Sequence, residues 1–128
     1  MTRWLSGEWF DQARNLAVGL PPRPGLTAGI QHVITGGPDG DVSCYWVLAD
    51  GRPTSAAIGS LESPDVTLTL SWSDAAAIQS GGLDPSVAFM QGRMKVAGSM
   101  SVVLELLPAT REAAYRDLRC RVADVTEF

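Results

Sequence analysis

In the stretch Pro64-Asp65-Val66-Thr67-Leu68-Thr69-Leu70-Ser71-Trp72, the large apolar residues Val66, Leu68, Leu70 and Trp72 alternate with Thr67, Thr69 and Ser71. A period of two is the mark of a strand with one buried face. Downstream, Ser73-Asp74 reads as the cap of a short helix running to about Ser80 and closed by Gly81-Gly82. Asp84-Pro85 repeats the device, with proline at the first helical position. A strand near Arg93–Ala97 then sets Met94 and Val96 against Arg93, Lys95 and Ala97. Gly98-Ser99 opens another helix, in which Met100, Val103, Leu104 and Leu107 recur at helical spacing. Val102 and Leu106 are apolar too, so this helix is expected to be buried on most sides, with Pro108 ending it.

Upstream, Ser6 is a candidate N-cap, and Trp9, Ala13, Leu16, Ala17 and Leu20 share one face of a helix predicted over residues 7–19. Pro21-Pro22 and Pro24-Gly25 stop it. Ala28–Thr35 and Val42–Ala49 are rich in β-branched and aromatic residues and flank Gly36-Gly37-Pro38-Asp39-Gly40-Asp41, which is turn sequence. They read as a hairpin, followed by a short third strand at Ser55–Gly59. In the tail, Tyr115, Leu118, Val122 and Val125 fit a helical face over about residues 110–125. Leu118, Cys120 and Val122 also alternate with Arg119 and Arg121 as a strand would; the length of the segment favours helix.

The chain has 128 residues, which matches one ordinary domain, and residues 1–128 are read as a single unit. It is 45% hydrophobic but only 19% charged, which excludes intrinsic disorder and leaves apolar surface to be placed in a core, a cavity or an interface. With 10 basic and 14 acidic residues the net charge is −4, lacking the footprint that would neutralise phosphates. Neither nucleic acid nor stable membrane association is expected. Cys44 and Cys120 form no C-x-x-C motif, the first residues form no signal peptide, and the expected location is the cytoplasm.

Chemistry is sparse. His32 is the only histidine, there is no G-x-S-x-G, and one His with two distant Cys cannot build an ordinary zinc site. Asp39-x-Asp41 lacks the rest of a calcium loop, and Gly36-Gly37 and Gly81-Gly82 lack the lysine and spacing of a phosphate loop. No catalytic residue, no metal and no cofactor is expected. By elimination, the chemistry is binding.

The residues Pro64-Asp65-Val66-Thr67-Leu68-Thr69-Leu70, Ser73-Asp74, Gly81, Asp84-Pro85-x-x-Ala88-Phe89-Met90-Gln91-Gly92-Arg93-Met94-Lys95-Val96 and Gly98-x-Met100 resemble the core of the sterol carrier protein type 2 family of lipid-binding domains. The resemblance spans about a third of the chain. It implies an α+β fold in which a five-stranded, mainly antiparallel sheet has helices packed on one face and encloses a hydrophobic tunnel. It further implies sterols, fatty acids or fatty acyl-CoA as ligands and no catalysis, and the expected role is to carry or sequester a small apolar ligand, a fatty acid, sterol or polyketide-like metabolite. On that basis the ligand is expected against Trp46, Leu70, Ile78, Leu83, Phe89, Met90, Met94, Val96, Met100, Val103, Leu104 and Leu107. This sequence departs from the family at Gly82 and Glu105, where members often carry cations, which argues against holding the phosphates of CoA.

Two other readings stand beside the carrier. An interaction module would dock through the apolar stripe of residues 110–128, or through Trp4 and Trp9, on a second copy or a partner enzyme of lipid metabolism. A small enzyme would use the same pocket, with Asp74, Glu105 or His32 as base.

Overall fold

The computed structural model describes residues 1–128. The elements in chain order are β1 Thr2–Arg3, α1 Gly7–Leu16, a 3-10 turn Ala17–Gly19, β2 Ala28–Gly37, β3 Gly40–Ala49, β4 Arg52–Ile58 and β5 Val66–Ser71. They continue with α2 Trp72–Ser80, α3 Pro85–Met90, β6 Lys95–Gly98, α4 Met100–Ala109, α5 Ala113–Asp124 and β7 Thr126–Glu127.

The central sheet has the order β4-β3-β2-β5-β6. Three of its pairings are antiparallel, but β2 and β5 run parallel, so the sheet is mixed. The alternation of β5 behaves as its sequence demands: Val66, Leu68 and Leu70 are buried while the threonines between them are only partly so. Strand β4 begins at Arg52 and takes in Pro53, which it tolerates because it is an edge strand with a register shift opposite Val47 and Leu48. β1 and β7 form a separate two-stranded parallel sheet that ties the two ends of the described chain together.

Side chains on one face of the sheet, among them Ile30, Ile34, Cys44 and Leu68, meet Trp9, Phe10 and Ala13 of α1, Val103 of α4, and Leu118 and Val122 of α5 in a continuous core. On the opposite face Gln31 is buried yet satisfied: its amide donates to the carbonyls of Cys44 at 3.0 Å and Gly59 at 2.9 Å, and its Oε1 accepts from Leu61 N at 2.7 Å.

Asp65 joins three parts of the fold. Its backbone N–H donates to Gly29 O at 2.9 Å and its carboxylate accepts from Gly29 N at 2.7 Å, fixing the entry to β2. Its carbonyl accepts from Ser99 N at 2.8 Å, where Ser99 caps α4 by accepting from Val102 N. Gly98 makes this approach feasible: its φ is +111°, and a Cβ there would stand 2.5 Å from Asp65 O.

Four local expectations change. The cap of α2 is Ser71, whose hydroxyl accepts from Asp74 N at 3.1 Å, so the helix starts two residues earlier than Ser73 implied. Trp72 therefore belongs to the helix, not to the strand face, and its ring packs edge-on against Trp4 with centroids 4.7 Å apart. The first helix is α-helical only to Leu16 and tightens to a 3-10 turn as far as Gly19. Helix α4 runs through Pro108 to Ala109 and buries only Val103 fully. Its position over β5 and beside α3 leaves Leu104 65% and Met100 46% exposed, because one face suffices to meet the sheet at this edge.

Candidate functional site

The inner face of the sheet and the helices do not close completely. Between them lies a cavity of about 260 Å³, and 24 of its 31 lining residues are hydrophobic. This is just under the roughly 300–1,000 Å³ of ordinary small-molecule sites. The floor comes from alternate residues of the strands: Ile30, His32 and Ile34 of β2, Cys44, Trp46 and Leu48 of β3, Leu68 and Leu70 of β5. The walls come from α1 with Trp9 and Ala13, α2 with Ala75 and Ile78, α4 with Val103, Leu106 and Leu107, and α5 with Tyr115, Leu118, Arg119 and Val122. Trp9 and Trp46 meet edge-on at 6.2 Å, so aromatic surface forms one wall.

Of the residues expected to touch a ligand, Trp46, Leu70, Ile78, Met94, Val103 and Leu107 line this cavity together. The others are placed elsewhere. Leu83, Phe89 and Val96 pack into the core beside it. Met90 is 82% exposed, and with Met100 and Leu104 it lies on the outer surface of α3 and α4. The helical spacing of residues 100–107 could not say which of its two apolar sides meets the sheet; packing selects the Val103 side. The walls that sequence reasoning did not assign come from both ends of the chain. Their signals were present, as the apolar stripe Trp9, Ala13, Ala17, Leu20 and the stripe Tyr115, Leu118, Val122, but nothing local said that the two stripes face one space.

Two polar atoms of the wall are enclosed and unpartnered: Trp4 Nε1 and His32 Nδ1. Cys44 stands opposite His32 in the β2–β3 register, which makes the pair the natural candidate for nucleophilic chemistry. Its electrostatics run the other way. Burial lowers the imidazole from 6.5 to about 4 and pushes the thiol up to about 12, so both are neutral near pH 7. A reactive thiolate–imidazolium pair needs the opposite shifts. Asp74 and Glu105, the other candidate bases, do not line the cavity. No group of three or more His, Cys, Asp or Glu side chains is placed to hold a metal ion, and no helix is long and apolar enough to cross a membrane.

The match to known proteins is consistent with this geometry. A family model described as the SCP-2 sterol transfer family matches residues 23–110. Sterol carrier protein 2 of Gallus gallus is 32% identical over 73 residues, which is 57% of this chain and 13% of that protein. The chain thus aligns with only a small part of the curated relatives it matches. Among solved structures, palmitated SCP2L2 from Aedes aegypti superimposes with a TM-score of 0.65 at 21% identity, over 84% of this chain and 96% of that one. A double mutant of the sec-alkyl sulfatase PisA1 superimposes with a TM-score of 0.59 at 24% identity, over 81% of this chain but 16% of the enzyme. At these identities the structures speak for the fold.

Proposed function

The chain belongs to the SCP-2 sterol transfer family, and from that premise we propose that residues 1–128 act as one unit that holds a small apolar molecule, carrying or sequestering it without chemical change. The observation that carries the reading is the cavity of about 260 Å³ with its predominantly hydrophobic wall. Its size favours a slender chain over a broad rigid ring system. The palmitated state of the Aedes aegypti relative supports the same class of ligand. Burying about 400 Å² of such a ligand contributes on the order of 10 kcal/mol before association costs on the order of 4–15 kcal/mol, which places affinity near the micromolar range. The neutral His32 and Cys44 support a binding role over a catalytic one. Two free cysteines fit a reducing compartment, and we assign the cytoplasm.

The test is native mass spectrometry of the purified protein with solvent extraction, joined to fatty-acid titrations read by the fluorescence of Trp4, Trp9 and Trp46, which line the cavity. A one-to-one adduct and saturable quenching are expected. A bare mass together with flat fluorescence for every fatty acid and sterol tried overturns the reading.

A second reading has its own observation. The chain corresponds to 16% of the PisA1 sulfatase and 13% of the Gallus gallus protein, so this fold occurs inside larger chains. In that reading the same cavity serves as a binding module beside an enzyme of lipid metabolism, and co-purification of such an enzyme from the native source checks it.

A further inference from the structure

Gln31 and His32 are neighbours on β2 and point to opposite faces of the sheet, where they meet different fates. Gln31, on the outer face, has both its amide nitrogen and its oxygen paired. Within the core, Trp9 Nε1 finds Thr126, and Thr126 in turn finds Val122. His32, on the inner face, has no such provision: its Nδ1 is enclosed without a hydrogen-bond partner. Buried polar atoms of a folded protein are nearly all satisfied, so an exception on the wall of a cavity calls for a reason.

The position of the ring is fixed by the sheet. One row of paired residues runs Ile58, Cys44, His32, Leu68 and Val96, so the imidazole stands on the central strand, at the middle of the cavity floor. Ile30 and Ile34 flank it about 7 Å away along β2. Deep as it lies, the ring keeps some accessible surface, and the space which that surface meets is the cavity. Since Nδ1 is sealed, the Nε2 edge is the one that reaches it. The same asymmetry assigns the proton. An orphaned buried N–H is rarer than an acceptor with an idle lone pair, so Nδ1 carries the lone pair and Nε2 the hydrogen. Burial holds the imidazole down at about 4, which makes it a neutral donor near pH 7. A neutral donor between Ile30, Ile34 and Leu68 suits an uncharged acceptor; a carboxylate there would be a charge without a counter-ion.

We propose that His32 is a specificity-determining residue of the cavity, its Nε2–H donating to a neutral acceptor oxygen, carbonyl or hydroxyl, carried in the interior of an otherwise apolar ligand. The inference rests on the carrier reading above and narrows it to molecules oxygenated part-way along their length. An apolar wall by itself grips any chain that fits. One donor at mid-floor sets the register of that chain, because only a ligand with its oxygen in the right place pairs the donor and covers the floor on both sides of it.

The test titrates the isomers undecan-6-one and undecan-2-one, with undecan-6-ol and undecane, on the whole chain and on His32→Leu. The two ketones match in apolar surface and in polarity, so their difference reads the position of the oxygen. Sliding the terminal ketone along to His32 would leave one side of the floor uncovered. In the unaltered protein undecan-6-one is expected to bind roughly three- to tenfold more tightly than undecan-2-one. In His32→Leu the two are expected to fall within about twofold of each other, and thermal unfolding reports whether the variant is folded. The order of undecan-6-one and undecan-6-ol tells a carbonyl from a hydroxyl. A second measurement needs no variant: His32 is the only histidine, so its ring gives one set of nitrogen NMR signals. They are expected to show the proton on Nε2, and to move with undecan-6-one far more than with undecane. No preference for undecan-6-one, a preference that survives in folded His32→Leu, or a ring proton on Nδ1 overturns the role of His32 and leaves the apolar cavity standing. Failure of all four ligands to bind the unaltered protein overturns the carrier reading itself.

Discussion

The indole Nε1 of Trp9 donates a hydrogen bond to Thr126 Oγ1 at 2.9 Å, across 117 residues of sequence and inside the core. Thr126 passes the interaction on, its hydroxyl donating to Val122 O at 2.5 Å. One buried hydroxyl thus locks the inner face of α1 to the last turn of α5, and both helices wall the cavity.

Replacing Thr126 by Val keeps the shape and leaves the indole N–H buried without an acceptor. The expected loss is about 1–3 kcal/mol of unfolding free energy, since an unsatisfied buried donor forfeits its desolvation. Thr126→Ser retains the hydroxyl and should recover most of it. Urea denaturation of the three proteins checks this; equal stability of Thr126→Val and the parent contradicts it.

Gly98 offers a sharper backbone test. An alanine there must adopt φ +111° and bring its Cβ 2.5 Å from Asp65 O, at the junction of β5, β6 and α4. Strain and overpacking together should cost about 2–4 kcal/mol. Gly25, also at positive φ but with open space around it, should lose less on the same substitution. Thermal unfolding of the two variants ranks them.

His32 makes acid stability predictable. Its imidazole falls from 6.5 to about 4 on folding because burial disfavours the cation. Between those values the unfolded chain binds a proton that the folded protein refuses, so stability falls as pH falls through this window. From about pH 7 to about pH 5 the cost is about 2 kcal/mol. His32→Leu removes this contribution, and its stability should decline by that much less over the same range in parallel denaturant titrations.

The two thiols should separate cleanly. Cys120 is exposed, while Cys44 is buried with its thiol pushed up to about 12. Since the thiolate is the nucleophile, a thiol reagent near neutral pH should titrate one cysteine in the native protein and two in denaturant. Peptide mapping should find the native label on Cys120; rapid labelling of Cys44 in the folded protein contradicts the buried placement.

Much of this architecture is legible in short stretches of sequence. The alternation from Val66 to Leu70 announces β5, Asp84-Pro85 announces α3, and Ser99 announces α4, because each signal needs only a few neighbouring residues and the geometry of one turn or one pleat. Ser71 and Ser73 show the limit: both are competent caps, and the one that captures Asp74 N is chosen by where β5 leaves the sheet.

The cavity is legible only in part. Trp46, Leu70 and Val103 were expected in its wall and stand there, whereas Met90 and Leu104, equally apolar, point outward. Hydrophobicity by itself establishes that these side chains want cover; it is indifferent to which cover they receive. By itself, then, the sequence determined the five strands of the central sheet and the caps Ser6, Asp84 and Ser99, carried by local spacing, and a family resemblance, carried by the motifs between Pro64 and Met100. Only the tertiary structure decided that the stripes of α1 and α5 enclose one space, and which side of α4 faces it. Those outcomes depend on contacts between residues distant along the chain, and a helical or strand period carries no information about its partner.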